Sequence, residues 1–270
     1  KNDADFSKNT ILSSPGGGYN EYLRIYGASY GYALNQTVYF TNNLFSGNSS
    51  GYKLEHYNSG SGQDYLSTSQ NNIINNDGFF IKASNVNSSV ENNWWGTTTE
   101  SEIQDLIYDW NEDSELGFLD YDPWLSTPNT SAPISPPFNV EKQLIQGNGD
   151  IILTWESNPE SDLSGYYVHY GDFTGYSYVN NVDVGNVNTF TLSGVSFNSD
   201  ISVSAYDGDA NGTDDQVEGH QSWFAKVTFN VAPIAFESSF ELNEDTILEN
   251  SLVATDDEND PLLYTLIEEP

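Results

Sequence analysis

The sequence of 270 residues contains no cysteine and no methionine. Without cysteine, the chain can form neither a disulfide nor a thiolate metal site. Packing, backbone hydrogen bonds and hard cations must therefore stabilise it. Because the chain also lacks a methionine, Lys1 is not expected to be the start of translation. We expect the sequence to be a mature or cropped piece of a larger protein.

Basic residues are scarce, since 7 Lys and Arg stand against 40 Asp and Glu, for a formal net charge of -33. Nucleic acid and anionic membranes are therefore poor partners. Such a surface suits cations and keeps a protein soluble at high ionic strength. Long apolar runs are missing as well, and none approaches the roughly 20 residues that span a bilayer. These features predict no direct membrane insertion and favour an extracellular or cell-surface location.

Helical periodicity is confined to one segment, whereas residues typical of strands are frequent and Gly, Asn and Ser clusters recur at short intervals. The composition therefore predicts an all-β protein. The length allows two or three domains, each with its own core.

A short anchor containing asparagine recurs in the first 125 residues. The anchors are Asn9-Thr10-Ile11, Asn43-Leu44-Phe45, Asn72-Ile73-Ile74 and Asn93-Trp94-Trp95. Fixed anchors with insertions of variable length are typical of stacked coils, each of which touches only its neighbours. The asparagines would stack into a ladder inside the turns. An Asn-rich β-sandwich with accidental repetition is the alternative.

With its Asn-Asn-Trp-Trp-Gly sequence at 92–96, the region 1–125 resembles the final coils of the right-handed parallel β-helix repeat family. Thr99 and Glu102 have the spacing of a capping box. Ile103, Leu106, Ile107 and Trp110 follow at helical spacing. This pattern predicts a helical C-terminal cap near 99–111 that covers the open end of the stack beside Trp94 and Trp95.

The resemblance also suggests where catalysis could take place. Enzymes of the parallel β-helix class, chiefly polysaccharide lyases and hydrolases, carry carboxylates and a basic residue on one outer face. The weak catalytic candidates here are Arg24, Lys53, Glu55, His56 and Lys82. A base beside carboxylates could abstract a proton from a uronic-acid sugar. However, no pair of carboxylates recurs at a fixed spacing, so these residues could simply fill outward positions of a strand.

A linker rich in Pro, Ser and Thr at 126–137 separates this region from a second module at 138–229. Short alternating segments recur there at the spacing of a β-sandwich. Three of them resemble an Ig-like sandwich of the fibronectin type III family: Leu153-Thr154-Trp155, Asn158 through Tyr166, and Val203 through Asp207. That resemblance implies that Trp155 is the buried core tryptophan.

One loop of this module has the spacing of an EF-hand. Its candidate calcium ligands are Asp207, Asp209, Asn211, Asp215 and Glu218. Oxygens at these positions can wrap a hard cation, and Gly212 permits the turn. The flanking helices of an EF-hand are missing, so a turn without metal is the alternative. The three histidines lie far apart in the sequence and predict no zinc site.

The residues 230–270 resemble the N-terminal part of a bacterial cadherin-like repeat and are too few to close a sandwich. The resemblance implies calcium at acidic clusters between domains. Asp256, Glu258 and Asp260 alternate in a tight turn, a spacing that lets several oxygens converge on one calcium ion. A solvated acidic turn is the alternative.

These features together favour a non-catalytic structural or adhesive segment of a large modular bacterial surface or secreted protein, stiffened by calcium. Its expected partners are other copies or other modules of the same surface assembly, such as a filament. The main alternative is a secreted polysaccharide lyase or hydrolase that uses the β-helix face. A carbohydrate-binding protein with exposed Tyr and Trp as stacking platforms is the third candidate, for which polysaccharide is the partner.

Overall fold

A computed structural model describes residues 4–12, 23–27, 37–46, 54–58, 65–74, 78–145, 148–225, 227–230, 234–236 and 253–255. The described residues are almost entirely strand, turn and extended chain, so the protein is all-β. Within these ranges, no helix is both long enough and apolar enough to cross a membrane.

The strands before residue 121 form three parallel sheets, and the chain contributes to each sheet in turn. The first sheet runs β1 (Ala4–Ser7), β4 (Thr37–Thr41), β7 (Tyr65–Ser69), β10 (Ser88–Ser89) and β12 (Leu119–Asp120). The second runs β2 (Thr10–Leu12), β5 (Leu44–Ser46) and β8 (Asn72–Ile74). The third runs β3 (Leu23–Gly27), β6 (Leu54–Asn58), β9 (Ile81–Lys82) and β11 (Ile107–Tyr108).

Equivalent residues of successive strands stand side by side in these sheets. In the third sheet, Leu54 pairs with Leu23 on one side and with Ile81 on the other. Between the sheets lies a core that contains a row of aromatic rings: Phe40, Phe45, Phe80 and Trp95. The exposed Phe6 extends this row by stacking on Phe40. Neighbouring ring centroids in this row are 5.0 to 6.1 Å apart. The buried Trp95 is the last member of the row.

A ladder of asparagines connects the turns between the first and second sheets. The backbone N–H and the side-chain amide of Asn43 both donate to Asn71 Oδ1, at 2.9 Å each. Asn9 makes the same pair of bonds to Asn43, and Asn71 makes it to Asn93. The predicted anchor Asn72 is therefore one residue away from the ladder. Asn72 pairs instead with Trp94 through a parallel bridge.

Each ladder asparagine follows a residue in the left-handed region of the backbone map. These residues are Lys8, Asn42, Gln70 and Asn92, with φ between 55° and 60°. Asparagine tolerates this conformation better than other residues with a side chain. The chain therefore turns from the first sheet into the second at equivalent corners, and Lys8 and Gln70 are strained there.

Replacing the exposed Gln70 by asparagine is expected to stabilise this region by a few tenths to about 1 kcal/mol, because asparagine fits the left-handed corner. The backbone bonds of Gln70, from its N–H to Asn92 O and from Asn129 Nδ2 to its carbonyl, remain possible. Urea unfolding measures the difference. The control is Gln143→Asn, at an exposed position of an ordinary strand, where no gain is expected. Equal effects of the two substitutions would contradict the assignment of strain to Gln70.

The predicted helical cap is shorter than the sequence suggested. The helix α1 spans Glu100–Gln104, and Thr99 at its N-cap makes no side-chain cap bond. Ile107 lies in β11 and pairs with Ile81, so the predicted helix near 99–111 is wrong after residue 104. The spacing misled because Ile103 and Ile107 both face the core, one from a helix and the other from a strand. Trp110 lies outside this core, 47% exposed, and stacks on Phe118.

The second module consists of two sheets around a separate core. One sheet has the order β17 (Thr189–Leu192), β14 (Ile151–Glu156), β13 (Phe138–Leu144) and β19 (Val227–Asn230). The other has the order β16 (Tyr178–Gly185), β15 (Leu163–Phe173) and β18 (Ile201–Asp207). The helix α2 (Asp215–Glu218) follows β18. Trp155 is buried in the core, as the resemblance implied, and its ring packs edge-on against that of Tyr166.

After β19, the structure describes two short strands, β20 (Ile234–Ala235) and β21 (Ala254–Thr255), which pair antiparallel. The predicted calcium ligands Asp256, Glu258 and Asp260 lie outside the described residues.

Candidate functional site

The third sheet brings several of the predicted catalytic residues together. Glu55 is in register with Arg24 on one side and with Lys82 on the other. Lys82 Nζ lies 3.9 Å from Glu55 Oε1 and 5.7 Å from the centroid of the Tyr108 ring. Lys53 and the side chain of Arg24 lie outside the described residues.

Burial limits what these groups can do chemically. Glu55 and His56 are both buried, with 6% and 1% of their surface exposed. A general base must come within hydrogen-bond reach of the proton that it removes from a substrate. The ion pair of Glu55 with Lys82 at a covered position instead resembles a cross-strand contact that holds neighbouring strands together.

The predicted calcium loop is held by its own hydrogen bonds. Asp215 accepts the backbone N–H of Asn211 at 2.9 Å and that of Gly212 at 2.7 Å, one with each carboxylate oxygen. Asp207 Oδ1 accepts the N–H of Asp209, and Asn211 Oδ1 accepts the N–H of Thr213. A cation in this loop would have to compete with these bonds for the same oxygens.

His220 forms a hydrogen bond with an aspartate of this loop. Asp207 Oδ2 lies 2.9 Å from His220 Nδ1, and this hydrogen bond raises the pKa of His220. Across the part of the chain that the structure describes, no three His, Asp or Glu side chains lie close enough together to hold a metal ion. Calcium bound by Asp207, Asp209, Asn211, Asp215 and Glu218 stays a prediction.

A groove opens between this loop and the sheet that contains β15. The segment after α2 runs antiparallel along β18, with bonds from Asp207 N to His220 O and from Ser222 N to Ala205 O. The groove beside it has a volume of about 460 Å³. Its lining consists of Tyr167, His169, Asn181, Gly212, Asp214, Asp215, Gln216, Val217 and Gln221.

The floor of the groove is a fixed polar and aromatic layer. Ser204 Oγ lies 2.8 Å from His169 Nε2 and accepts a hydrogen bond of 2.8 Å from Gln221 Nε2. The ring of Tyr167 packs 4.8 Å from that of Tyr206, whose hydroxyl donates to Asp183. These contacts fix the orientation of the groups that face the groove.

Gly165 makes room for this arrangement. A Cβ atom on Gly165 would overlap the ring of Tyr206, with Cε1 at only 2.9 Å. Tyr206 can therefore lie across the backbone of β15 and support Tyr167 only when residue 165 is a glycine. Gly165 belongs to the sequence motif that ends at Tyr166. No sequence pattern marked Gln216 or Gln221 as groove residues, because their positions depend on the path of the chain after β18.

His169 is buried, and burial lowers its pKa from 6.5 to about 4. The folded state therefore binds fewer protons than the unfolded chain below pH 6.5. The contribution of neutral His169 to the free energy of unfolding is therefore fully present above pH 6.5. It decreases by about 3 kcal/mol as the pH falls towards 4. His169→Gln should remove this part of the pH dependence, which urea unfolding at several pH values measures. An unchanged slope in the variant would contradict the assignment to His169.

Comparisons with known proteins give a distant structural likeness. No protein-family model matches the chain, and no curated protein matches it. Among solved structures, the chain is similar to a Fn3-like protein from Clostridium thermocellum, with 18% sequence identity and a TM-score of 0.28. The match covers 37% of this chain and 96% of the other. The likeness assigns no activity.

Proposed function

We propose that the chain is a non-catalytic structural or adhesive segment of a modular extracellular protein. In this proposal, residues 1–125 are the end of a right-handed parallel β-helix and residues 138–229 are a fibronectin type III domain. Residues 230–270 begin a cadherin-like repeat. The observation that carries the proposal is the ordered junction between the first two units. Asn129 binds the linker to the first unit, and Phe138 of the second unit packs on an apolar cluster of the first.

The junction is a set of hydrogen bonds and one small apolar cluster. The backbone carbonyl of Asn129 accepts a hydrogen bond of 3.0 Å from Asn72 Nδ2, and its backbone N–H donates one of 2.8 Å to Asn72 Oδ1. Its side-chain amide donates to Asn42 Oδ1 and to the carbonyl of Gln70. Leu125 and Phe138 pack against the cluster of Leu44, Ile74 and Trp94. A linker bound at several points supports a stiff connection, which suits a protein that transmits load.

The β-helix assignment is supported by the parallel pairing in three sheets and by the asparagine ladder. Both features repeat from one turn of the chain to the next, as neighbouring coils require. The fibronectin type III assignment is supported by the two-sheet core with Trp155 and Tyr166 at its centre. The buried Glu55 and His56 make the lyase or hydrolase alternative less suited to the geometry.

Disrupting the junction should free the linker. Asn129→Ala removes the two side-chain donor bonds, so we expect faster proteolytic cleavage within 126–137 while the melting midpoints of the two modules stay close to wild type. Asn198→Ala, at an exposed turn of the second module, is the control. If the wild-type linker is cut as fast as that of the variant, the junction is not rigid.

Enzymatic turnover is tested directly by incubating the chain with acidic polysaccharides. The proposal predicts no new unsaturated or reducing ends. Their appearance, and their loss in a Glu55→Gln variant, would establish the alternative.

Calcium is part of the proposal through the acidic turn at Asp256, Glu258 and Asp260, which would stiffen the junction between the last two modules. Adding calcium should raise the melting midpoint of these modules, and a chelator should reverse the change. Asp256→Asn with Asp260→Asn should abolish the effect if that turn is the site. Persistence of the effect in this variant would point to the loop of Asp207 instead, and no effect in the wild type would refute calcium binding.

A further inference from the structure

We propose that the groove beside β15 binds a neutral saccharide. This inference goes beyond the structural role and does not depend on it, because the groove lies within the second module. Its volume of about 460 Å³ lies in the range of sites that hold small molecules.

The side chains around the groove leave acceptors free for a ligand. The side-chain amide nitrogen of Gln221 donates a hydrogen bond to Ser204 Oγ, and that of Gln216 donates to the carbonyl of Ser222. The side-chain oxygens of Gln216, Gln221 and Asp214 accept no hydrogen bond from any residue in the described ranges. Such a site needs a ligand with many hydrogen-bond donors, which the hydroxyl groups of a sugar supply.

The aromatic floor fits the same ligand. Tyr167 is partly exposed and is held against Tyr206 and His169, with ring centroids 4.8 and 6.2 Å away. An aromatic ring combines a large apolar face with a polar edge, and the apolar C–H faces of a sugar can pack on it. Because these rings are fixed by their neighbours, little conformational entropy would be lost on binding.

Charge excludes other classes of ligand. Among the residues that the structure describes, no Lys or Arg lines the groove, whereas Asp214 and Asp215 do. With a net charge of -33, the protein repels anions, including acidic polysaccharides. The amides and carboxylates also disfavour a purely apolar ligand, since their desolvation would not be compensated. An organic cation is attracted to Asp214, but both oxygens of the buried Asp215 are already occupied by backbone N–H groups.

The experiment is a titration of the full chain, followed by amide chemical shifts in NMR spectra. The probes are cellotetraose, xylotetraose and mannotetraose as neutral saccharides, tetragalacturonate as the anion and spermidine as the cation. We expect at least one neutral tetrasaccharide to shift resonances of β15 and of residues 212–221. Because no ion pair forms, its affinity should not change with salt concentration.

Two variants locate the site. Gln216→Ala combined with Gln221→Ala removes two acceptors and should weaken binding by at least about tenfold. Asn181→Ala, at an exposed position of the lining, tests the same site with less risk to the fold, and Gln143→Ala on the other sheet is the control. Melting midpoints confirm folding. No shift with any neutral probe at millimolar concentration, binding that survives both lining variants, or salt-dependent binding of spermidine alone would overturn the proposal.

Discussion

Gly117→Ala is expected to lower the free energy of unfolding of the first module by about 3 to 5 kcal/mol. A Cβ atom on Gly117 would lie 2.6 Å from the backbone nitrogen of Asn87 and 2.6 Å from the carbonyl oxygen of Val86. Both are backbone atoms, so they cannot move aside as the end of a flexible side chain could. Gly117 is also fixed in place, since its own N–H donates to Ser84 O at 2.7 Å.

The measurement is urea unfolding followed by the fluorescence of the buried tryptophans. Gly208→Ala is the matched control, because a Cβ atom there would meet only Ser164 Oγ at 3.5 Å, an ordinary contact. We expect the control to change stability by less than about 1 kcal/mol. Comparable effects of the two substitutions would show that the loop around Gly117 can move away from Val86.

The loop that ends at Gly117 follows Asp109, which forms a hydrogen bond to the edge of the first sheet. Leu119 belongs to the last strand of the first sheet, and the buried Asp109 accepts its backbone N–H at 2.9 Å. A backbone donor at the sheet edge is thereby satisfied within the chain, which reduces pairing with a foreign strand. The segment predicted as a helix near 99–111 therefore contains only the short helix α1, and the residues after it form β11 and this loop.

Asn71→Ala is expected to lower the free energy of unfolding by a similar amount, about 3 to 5 kcal/mol. Asn71 is buried, and its side chain bonds both neighbours in the ladder as well as the carbonyl of Phe40 at 2.8 Å. Truncation leaves the N–H of Asn43 and the carbonyl of Phe40 buried without these partners. Each such group costs about 1 to 3 kcal/mol.

Two further variants distinguish the loss of the ladder hydrogen bonds from a general disturbance of the turn. Asn9→Ala acts at the exposed end of the ladder, where water can replace the lost bonds, and should cost less than about 1 kcal/mol. Asn71→Asp keeps the shape and the acceptors but loses the amide donors, so it should be destabilising as well. Equal stability of the Asn71→Ala and Asn9→Ala variants would refute the ladder as a source of stability.

The sequence predicted the order of the elements better than it predicted single positions. The anchors with Asn9, Asn43 and Asn93 marked ladder members, because insertions of variable length leave the turns between the first and second sheets unchanged. At Asn71 and Asn72 the two neighbouring asparagines could not be told apart by pattern. Only the register of β8 with β5 shows that Asn71 lies in the ladder.

Sites were harder to predict than strands, since they depend on contacts between distant segments. The EF-hand spacing at Asp207 predicts calcium ligands, but spacing does not reveal that oxygens of this loop accept backbone N–H groups. Likewise, the alternating pattern around His169 does not show that this side chain is buried. His169 packs against Phe224, which belongs to the segment that runs along β18 after α2, and no local pattern marks this contact.

The central claim is that the two modules form one stiff unit, with Asn129 binding the linker to the first module and Phe138 packing the second module on it. Residual dipolar couplings of the backbone amides, measured in one alignment medium, test it most directly. The account predicts that strands β7 to β12 and strands β13 to β18 share one alignment tensor with the same magnitude and orientation. Two tensors of different magnitude would show that the modules move independently and would contradict the account.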